Sequence, residues 1–85
     1  MTRFELYQFE GSPFCETVRT FCSENGISLT MHTPRNGDTV VNQDHMDDLL
    51  ELGGSDQVPF LVDNEHDVSL YESDDIVEYL EEHAA

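Results

Sequence analysis

Eighty-five residues, 38% of them hydrophobic, provide for one small domain over residues 1–85 with a single core. The chain has 19 acidic residues, three arginines and no lysine, and a net charge of −16 at pH 7. Such a surface excludes nucleic acid as a partner, because binding to phosphates needs clustered basic side chains. No apolar run approaches the roughly 18 residues that cross a bilayer, and residues 1–4 do not open a secretory signal. We therefore expect a cytoplasmic protein with no membrane partner.

The acidic residues are spread from Glu5 to Glu82 rather than gathered in one block. Four like-charged pairs stand four residues apart on predicted helices: Asp44/Asp48, Asp47/Glu51, Asp74/Glu78 and Glu78/Glu82. Each pair costs about 0.2–0.5 kcal/mol at low salt. The Debye length falls to about 3 Å in 1 M salt, where these costs largely vanish. We interpret the composition as that of a halophilic protein; an acidic partner-binding surface, the alternative, would concentrate the charge.

The first third of the chain predicts a strand, a helix and a second strand. Residues 3–9 form a short β-prone run that is apolar on both faces, as in an interior strand. Ser12 is a favoured N-cap and Pro13 suits the first helical position. Apolar side chains then recur at helical spacing up to the C-cap pair Asn25-Gly26: Phe14, Cys15, Val18, Phe21 and Cys22. Residues 27–31 predict the second strand.

The next segments predict a loop and another helix. Residues 33–38 are rich in turn formers and carry no chemical signal. The helix covers residues 43–52 and stops at Gly53-Gly54. Its predicted buried face consists of Met46, Leu49 and Leu50.

The rest of the chain predicts a hairpin and a last helix. Residues 59–62 and 68–71 are strands joined by a turn at residues 63–66. Ser73 is expected to cap the helix. The inner face of that helix is predicted to be Ile76, Val77 and Leu80.

The element order is therefore β-α-β-α-β-β-α. The first two strands are joined through a helix, so they should be parallel with a right-handed crossover. The last two strands should form an antiparallel hairpin. This order predicts an α/β domain with a four-stranded mixed sheet flanked by helices.

Three segments carry a family resemblance. Residues 7–15, Tyr-Gln-Phe-Glu-Gly-Ser-Pro-Phe-Cys, resemble the redox turn of glutaredoxins and of glutathione S-transferase N-terminal domains. Val58-Pro59, directly before a strand, is similar to the cis-proline that faces the active site throughout the thioredoxin fold. Residues 71–76 are similar to the Glu-Ser segment with which glutathione transferases hold the γ-glutamyl end of glutathione. The three segments occur in the expected order, and the resemblance covers essentially the whole chain and implies a thioredoxin-like fold.

The resemblance implies a thiol site, and elementary chemistry supports it. A helix N-terminus favours a thiolate, and the backbone beside a cis-proline can pair with a peptide-like ligand. Catalytic residues are then Cys15 and Ser12, and thiol-binding residues are Pro13, Phe14, Val58, Pro59, Glu72 and Ser73. Glutathione or a similar low-molecular-weight thiol such as γ-glutamylcysteine is the implied cosubstrate, with a small thiol or disulfide as partner. No tightly bound cofactor is implied, and the four histidines lack metal-ligand spacing, which favours surface positions.

The turn departs from the glutaredoxin pattern at its first position. In glutaredoxins the first cysteine is the nucleophile, and here that position is Ser12. Cys15 matches the second cysteine and is either reactive or part of the core, whereas Cys22 is expected to be structural. Ser12 is either a simple N-cap or the counterpart of the hydroxyl with which some transferase classes stabilise the glutathione thiolate. Two functions stay open: a thiol-disulfide oxidoreductase or thiol-binding domain, and a non-catalytic adaptor module.

Overall fold

The computed structural model describes residues 2–84. The strands are β1 Phe4–Tyr7, β2 Leu29–His32, β3 Arg35–Asn36, β4 Thr39–Val40, β5 Phe60–Asp63 and β6 Val68–Tyr71. The helices are α1 Pro13–Glu24, α2 Gln43–Gly53 and α3 Ser73–His83. Within this described part of the chain, no helix is long and apolar enough to cross a membrane.

The main sheet has four strands in the order β2-β1-β5-β6. Strand β1 pairs in parallel with β2 and antiparallel with β5, and β5 pairs antiparallel with β6. In register, Leu6 lies beside Met31 on one side and Leu61 on the other. The predicted four-stranded mixed sheet, with its parallel first pair and its terminal hairpin, is confirmed.

Hydrophobic side chains pack on both faces of this sheet, because successive residues of a strand point to opposite faces. One cluster joins the sheet to α1 and α3: Phe4, Leu6, Val18, Cys22, Leu61, Ile76 and Leu80. The other joins it to α2 and to the start of α1: Tyr7, Cys15, Met46, Leu49, Val58 and Phe60. The sheet is therefore the middle layer between α2 and the α1–α3 pair.

Two predicted details of the middle segment are wrong. Residues 33–38 are not a plain loop, because β3 and β4 form a small antiparallel hairpin. Leu50 is 44% exposed rather than buried. The inner face of α2 is completed by Gly53 instead, where an added Cβ would lie 2.0 Å from the hydroxyl oxygen of Tyr71.

The predicted cap of the last helix is also displaced by one residue. Glu72 occupies the N-cap position, and its side chain makes no capping hydrogen bond. Ser73 is instead the first residue of α3 and is buried. Ile76 and Leu80 are fully buried as predicted, and Val77 packs partly buried against the same cluster.

Candidate functional site

A groove of about 220 Å³ lies where α1, α3 and the segment before β5 meet. Its walls are Phe14, Gln57, Val58, Pro59, Glu72 and Ser73. Five of the eight site residues predicted from the sequence are therefore brought together. The other three, Ser12, Pro13 and Cys15, belong to the first turn of α1 or its cap but do not line the groove.

Ser12 caps α1, as its sequence position predicts. Its Oγ accepts a hydrogen bond from the backbone N–H of Cys15 at 3.2 Å, and its own N–H donates to the carbonyl of Phe9 at 3.3 Å. The residue is only 6% exposed. Pro13 follows at the first helical position and is exposed. The cap consumes a lone pair of Oγ and leaves the hydroxyl hydrogen free to donate elsewhere.

Both cysteines are free thiols inside the protein. Cys15 is 0% exposed and packs in the cluster that contains Tyr7, Val58 and Phe60. Cys22 is 2% exposed, and burial raises the pKa of its thiol to about 11. A thiolate must contact its substrate to react. Cys15 is buried and does not line the groove, so its thiol is not accessible to a ligand bound there.

The Val58–Pro59 peptide bond is cis, as predicted from the sequence. The segment that leads to it is held by Tyr71, whose hydroxyl donates to the carbonyl of Ser55 at 2.9 Å and accepts from the N–H of Ser55 at 3.2 Å. The Tyr71 ring reaches this position only because Gly53 has no side chain. Gly53 and Tyr71 thus fix Ser55, three residues before Val58.

Glu72 and Ser73 place two complementary polar groups side by side. Glu72 has a φ of +72° and is exposed, and its Oε1 accepts a hydrogen bond from Nε2 of Gln57 at 3.1 Å. Ser73 begins α3, where the first backbone N–H groups lack partners within the helix and the helix dipole is positive. A carboxylate beside a helix N-terminus is complementary to the ammonium and carboxylate of one α-amino-acid group.

Among residues 2–84, no cationic side chain lines this groove. Arg3 bonds Asp63 at the other end of the strands, Arg19 bonds Gln8, and Arg35 donates to the backbone carbonyls of residues 37 and 56. Of the described residues that form the groove wall, Glu72 alone has a charged side chain. The hydrogen-bond donors that this wall offers to a carboxylate are therefore the neutral hydroxyl, side-chain amide and backbone N–H groups.

Comparison with known proteins now decides the family. Residues 6–85 match the family model for the glutathione S-transferase, N-terminal domain. The chain belongs to that family. No curated protein sequence matches this transferase-family domain.

Solved structures agree with this assignment. A glutathione S-transferase from the Antarctic clam Laternula elliptica is 30% identical, with a TM-score of 0.75 over 95% of this chain. Human glutathione transferase theta-2, solved with glutathione, is 31% identical, with a TM-score of 0.73 over 91%. Glutaredoxin 2 from Salmonella typhimurium, also solved with glutathione, is 25% identical, with a TM-score of 0.74 over 94%. This domain spans 35%, 30% and 33% of those three chains, respectively.

Two features of this transferase-family domain differ from what its sequence predicts. Gln57 lines the groove and bonds Glu72, and its position next to Val58-Pro59 was the only signal that could have identified it. The histidines were expected on the surface, but His32 and His45 are partly buried. The centroids of their rings lie 4.7 Å apart. His32 also bonds Glu5 at 2.7 Å. Among residues 2–84, no group of three or more side chains is arranged to hold a metal ion.

Proposed function

We propose that this domain binds glutathione, or a related low-molecular-weight thiol with a γ-glutamyl end, in the groove. The observation that carries the proposal is the pairing of the Glu72 carboxylate with the N-terminus of α3 at Ser73. Glu72 binds the ligand ammonium, displacing Gln57, and Ser73 with its neighbouring N–H groups binds the α-carboxylate. The backbone of Val58 pairs with the peptide portion of the ligand as an added strand would.

Within this proposal the Ser12 hydroxyl stabilises the ligand thiolate. The hydroxyl oxygen accepts from the N–H of Cys15, so the hydroxyl hydrogen is available to donate to a ligand sulfur at the N-terminus of α1. The positive end of the α1 dipole acts in the same direction. Cys15 is 0% exposed, which favours this transferase-type activation of a bound thiol over attack by a protein thiolate.

The test is thiol binding by the wild-type domain and by Ser12→Ala. Calorimetry measures affinity for glutathione, γ-glutamylcysteine and S-methylglutathione, and the ultraviolet absorbance of the thiolate against pH measures the pKa of the bound thiol. We expect Ser12→Ala to raise that pKa by about one unit and to leave S-methylglutathione affinity unchanged, because the methylated sulfur has no thiolate to stabilise. Ser23→Ala, an exposed serine late in α1, is the matched control.

The alternatives give different results in the same samples. Incubation with oxidised glutathione followed by intact-mass measurement would show a mixed disulfide on Cys15 if the domain were a thiol-disulfide oxidoreductase. Failure of every thiol to bind the wild-type domain would leave the adaptor function.

We also infer that the protein works in a salt-rich cytoplasm. The support is its charge of −16 and the absence of lysine. Four like-charged helical pairs add to this support, because screening by salt removes most of their cost. Binding measurements are therefore best made in molar KCl.

A further inference from the structure

The buried side-chain amide of Gln8 links the connection between β1 and α1, which contains Ser12, to the rest of the fold. Gln8 directly follows β1 and is 1% exposed. Its Nε2 donates to Oγ1 of Thr33 at 3.0 Å, and its backbone N–H donates to the carbonyl of His32 at 2.9 Å. Its Oε1 accepts from Nη1 of Arg19 at 2.5 Å. A buried amide needs all of these partners, so the end of β1 is bound on one side to the end of β2 and on the other to α1.

Arg19 extends this network along the connection between β1 and α1. Its Nη2 lies 4.0 Å from Oε2 of Glu10, two residues beyond Gln8. Ser12 closes the connection through its N–H bond to the carbonyl of Phe9. Arg19 therefore contacts the residues on both sides of Phe9, from a helix position one turn beyond Cys15. Its planar, forked guanidinium donates a hydrogen bond to Gln8 through Nη1 while Nη2 stays within ion-pair range of Glu10, which a lysine ammonium on a single stem does not reproduce.

We propose that Arg19 is a positioning residue for the thiol site: it holds residues 8–12 so that the Ser12 hydroxyl points to the ligand sulfur. This inference rests on the proposed thiol-binding function. Arg19 is absent from the groove wall, and its side chain is 21% exposed, so it acts through Gln8 and Glu10 rather than on the ligand. The chain has three arginines and 19 acidic residues, and one of these arginines lies beside residues 8–12.

The first measurement does not need a ligand. Amide hydrogen exchange, followed by NMR in molar KCl, compares the wild-type domain with Arg19→Met, Arg19→Lys and Thr20→Met. Thr20 is exposed on the same helix, which makes its variant the matched control. For Arg19→Met we expect exchange at the amides of Ser12 and Cys15 to speed up at least about tenfold, with the β1 and β5 amides unchanged. Arg19→Lys should recover part of the protection.

The second measurement uses the bound thiol. In Arg19→Met the pKa of bound glutathione should rise by about one unit, a tenfold loss of thiolate at neutral pH. Affinity for S-methylglutathione should stay within about twofold, because the groove wall is intact. Thr20→Met should match the wild-type domain in both respects.

Each outcome decides between positioning and simple stabilisation. Unchanged exchange at Ser12 and Cys15 in Arg19→Met would overturn the proposal. So would an equal acceleration at all amides, since that reports global unfolding. If wild-type protein binds neither glutathione nor S-methylglutathione, the proposed function fails and Arg19 has no thiol to position, whereas normal wild-type binding with an unshifted thiol pKa in Arg19→Met refutes the role of Arg19 alone.

Discussion

Glu72 has an unfavourable backbone conformation, and its side chain contributes little to the stability of the free protein. Its φ of +72° and ψ of 120° lie where only glycine is at ease, at a cost on the order of 1–3 kcal/mol. Its side-chain hydrogen bond to Gln57 is exposed and therefore contributes little to stability. Strain at a residue of the groove wall supports the proposed role of the Glu72 carboxylate in binding the ligand.

Replacing Glu72 by glycine should separate stability from binding. Relief of strain, less the backbone entropy of glycine, is expected to raise the free energy of unfolding by about 0.5–1 kcal/mol. Glutathione affinity should fall at least about tenfold, because the ligand ammonium loses its carboxylate partner. Urea unfolding and calorimetry measure the two effects. Asp67→Gly is the control: Asp67 also has a positive φ, of 55°, but lies in the β5–β6 turn, so only stability should rise. Equal binding by Glu72→Gly and wild type would contradict the assigned role.

At the scale of elements, one buried carboxylate joins the N-terminus, the end of β5 and α3. Asp63 is 0% exposed and accepts from Nε and Nη2 of Arg3 at 2.9 and 3.0 Å. It also accepts from the Tyr79 hydroxyl at 2.5 Å and from the N–H of Glu65 at 3.0 Å. The Arg3 hydrogen bonds, then those from Tyr79 and His66, hold the pKa of Asp63 well below its usual range. Burial and the bond to Asp63 raise the pKa of Tyr79 to about 12.

This arrangement predicts a specific pH dependence. A carboxyl group whose pKa is lower in the folded than in the unfolded state stabilises the fold above its unfolded pKa of about 3.9, and the contribution is lost as pH falls through the folded pKa. Asp63→Asn should therefore cost about 3 kcal/mol of unfolding free energy at neutral pH. The gap between wild type and variant should narrow only below about pH 4. Urea titrations across pH measure the gap, with exposed Asp38→Asn as control. A gap that stays constant well below pH 4 would contradict the assignment.

The elements that the sequence predicted well are those with strong local signals. Ser12, Pro13 and an apolar stripe at helical spacing predict helix α1 and where it begins and ends. The β3–β4 hairpin has two residues per strand, too few for any periodicity, although Asn36-Gly37 is a turn signal. Leu50 was predicted to be buried because it follows Met46 by four residues, yet the buried face of α2 runs through Met46, Leu49 and Gly53.

The site was predictable in outline and not in its connections. Motifs that are short in sequence, such as Val58-Pro59 and Glu72-Ser73, were found because each carries its own signal. Contacts such as Gln57 with Glu72, or Gln8 with Thr33, join residues 15 and 25 positions apart, and no local pattern encodes them. The burial of Cys15 likewise depends on Tyr7, Val58 and Phe60, which only the folded sheet brings together.

For the whole molecule, repulsion among carboxylates is the dominant long-range electrostatic effect. Nineteen acids face three arginines, and each arginine already donates to groups of the protein itself. The like-charged pairs on α2 and α3 are exposed, so salt screens them efficiently. Their repulsion in dilute buffer, about 0.2–0.5 kcal/mol for each of the four pairs, sums to about 1–2 kcal/mol.

The free energy of unfolding should therefore rise by at least about 1–2 kcal/mol between dilute buffer and molar KCl. Urea titrations at several KCl concentrations measure this slope. The double variant Asp48→Asn/Glu78→Gln removes three of the four like-charged pairs at exposed positions. It should be more stable than wild type in dilute buffer and gain less from KCl, because less repulsion remains to be screened. A wild-type free energy of unfolding that stays constant or falls as the KCl concentration rises would contradict the inferred salt adaptation. Equal slopes for the two proteins would instead place the effect outside these helical pairs, in the longer-range charge of the whole surface.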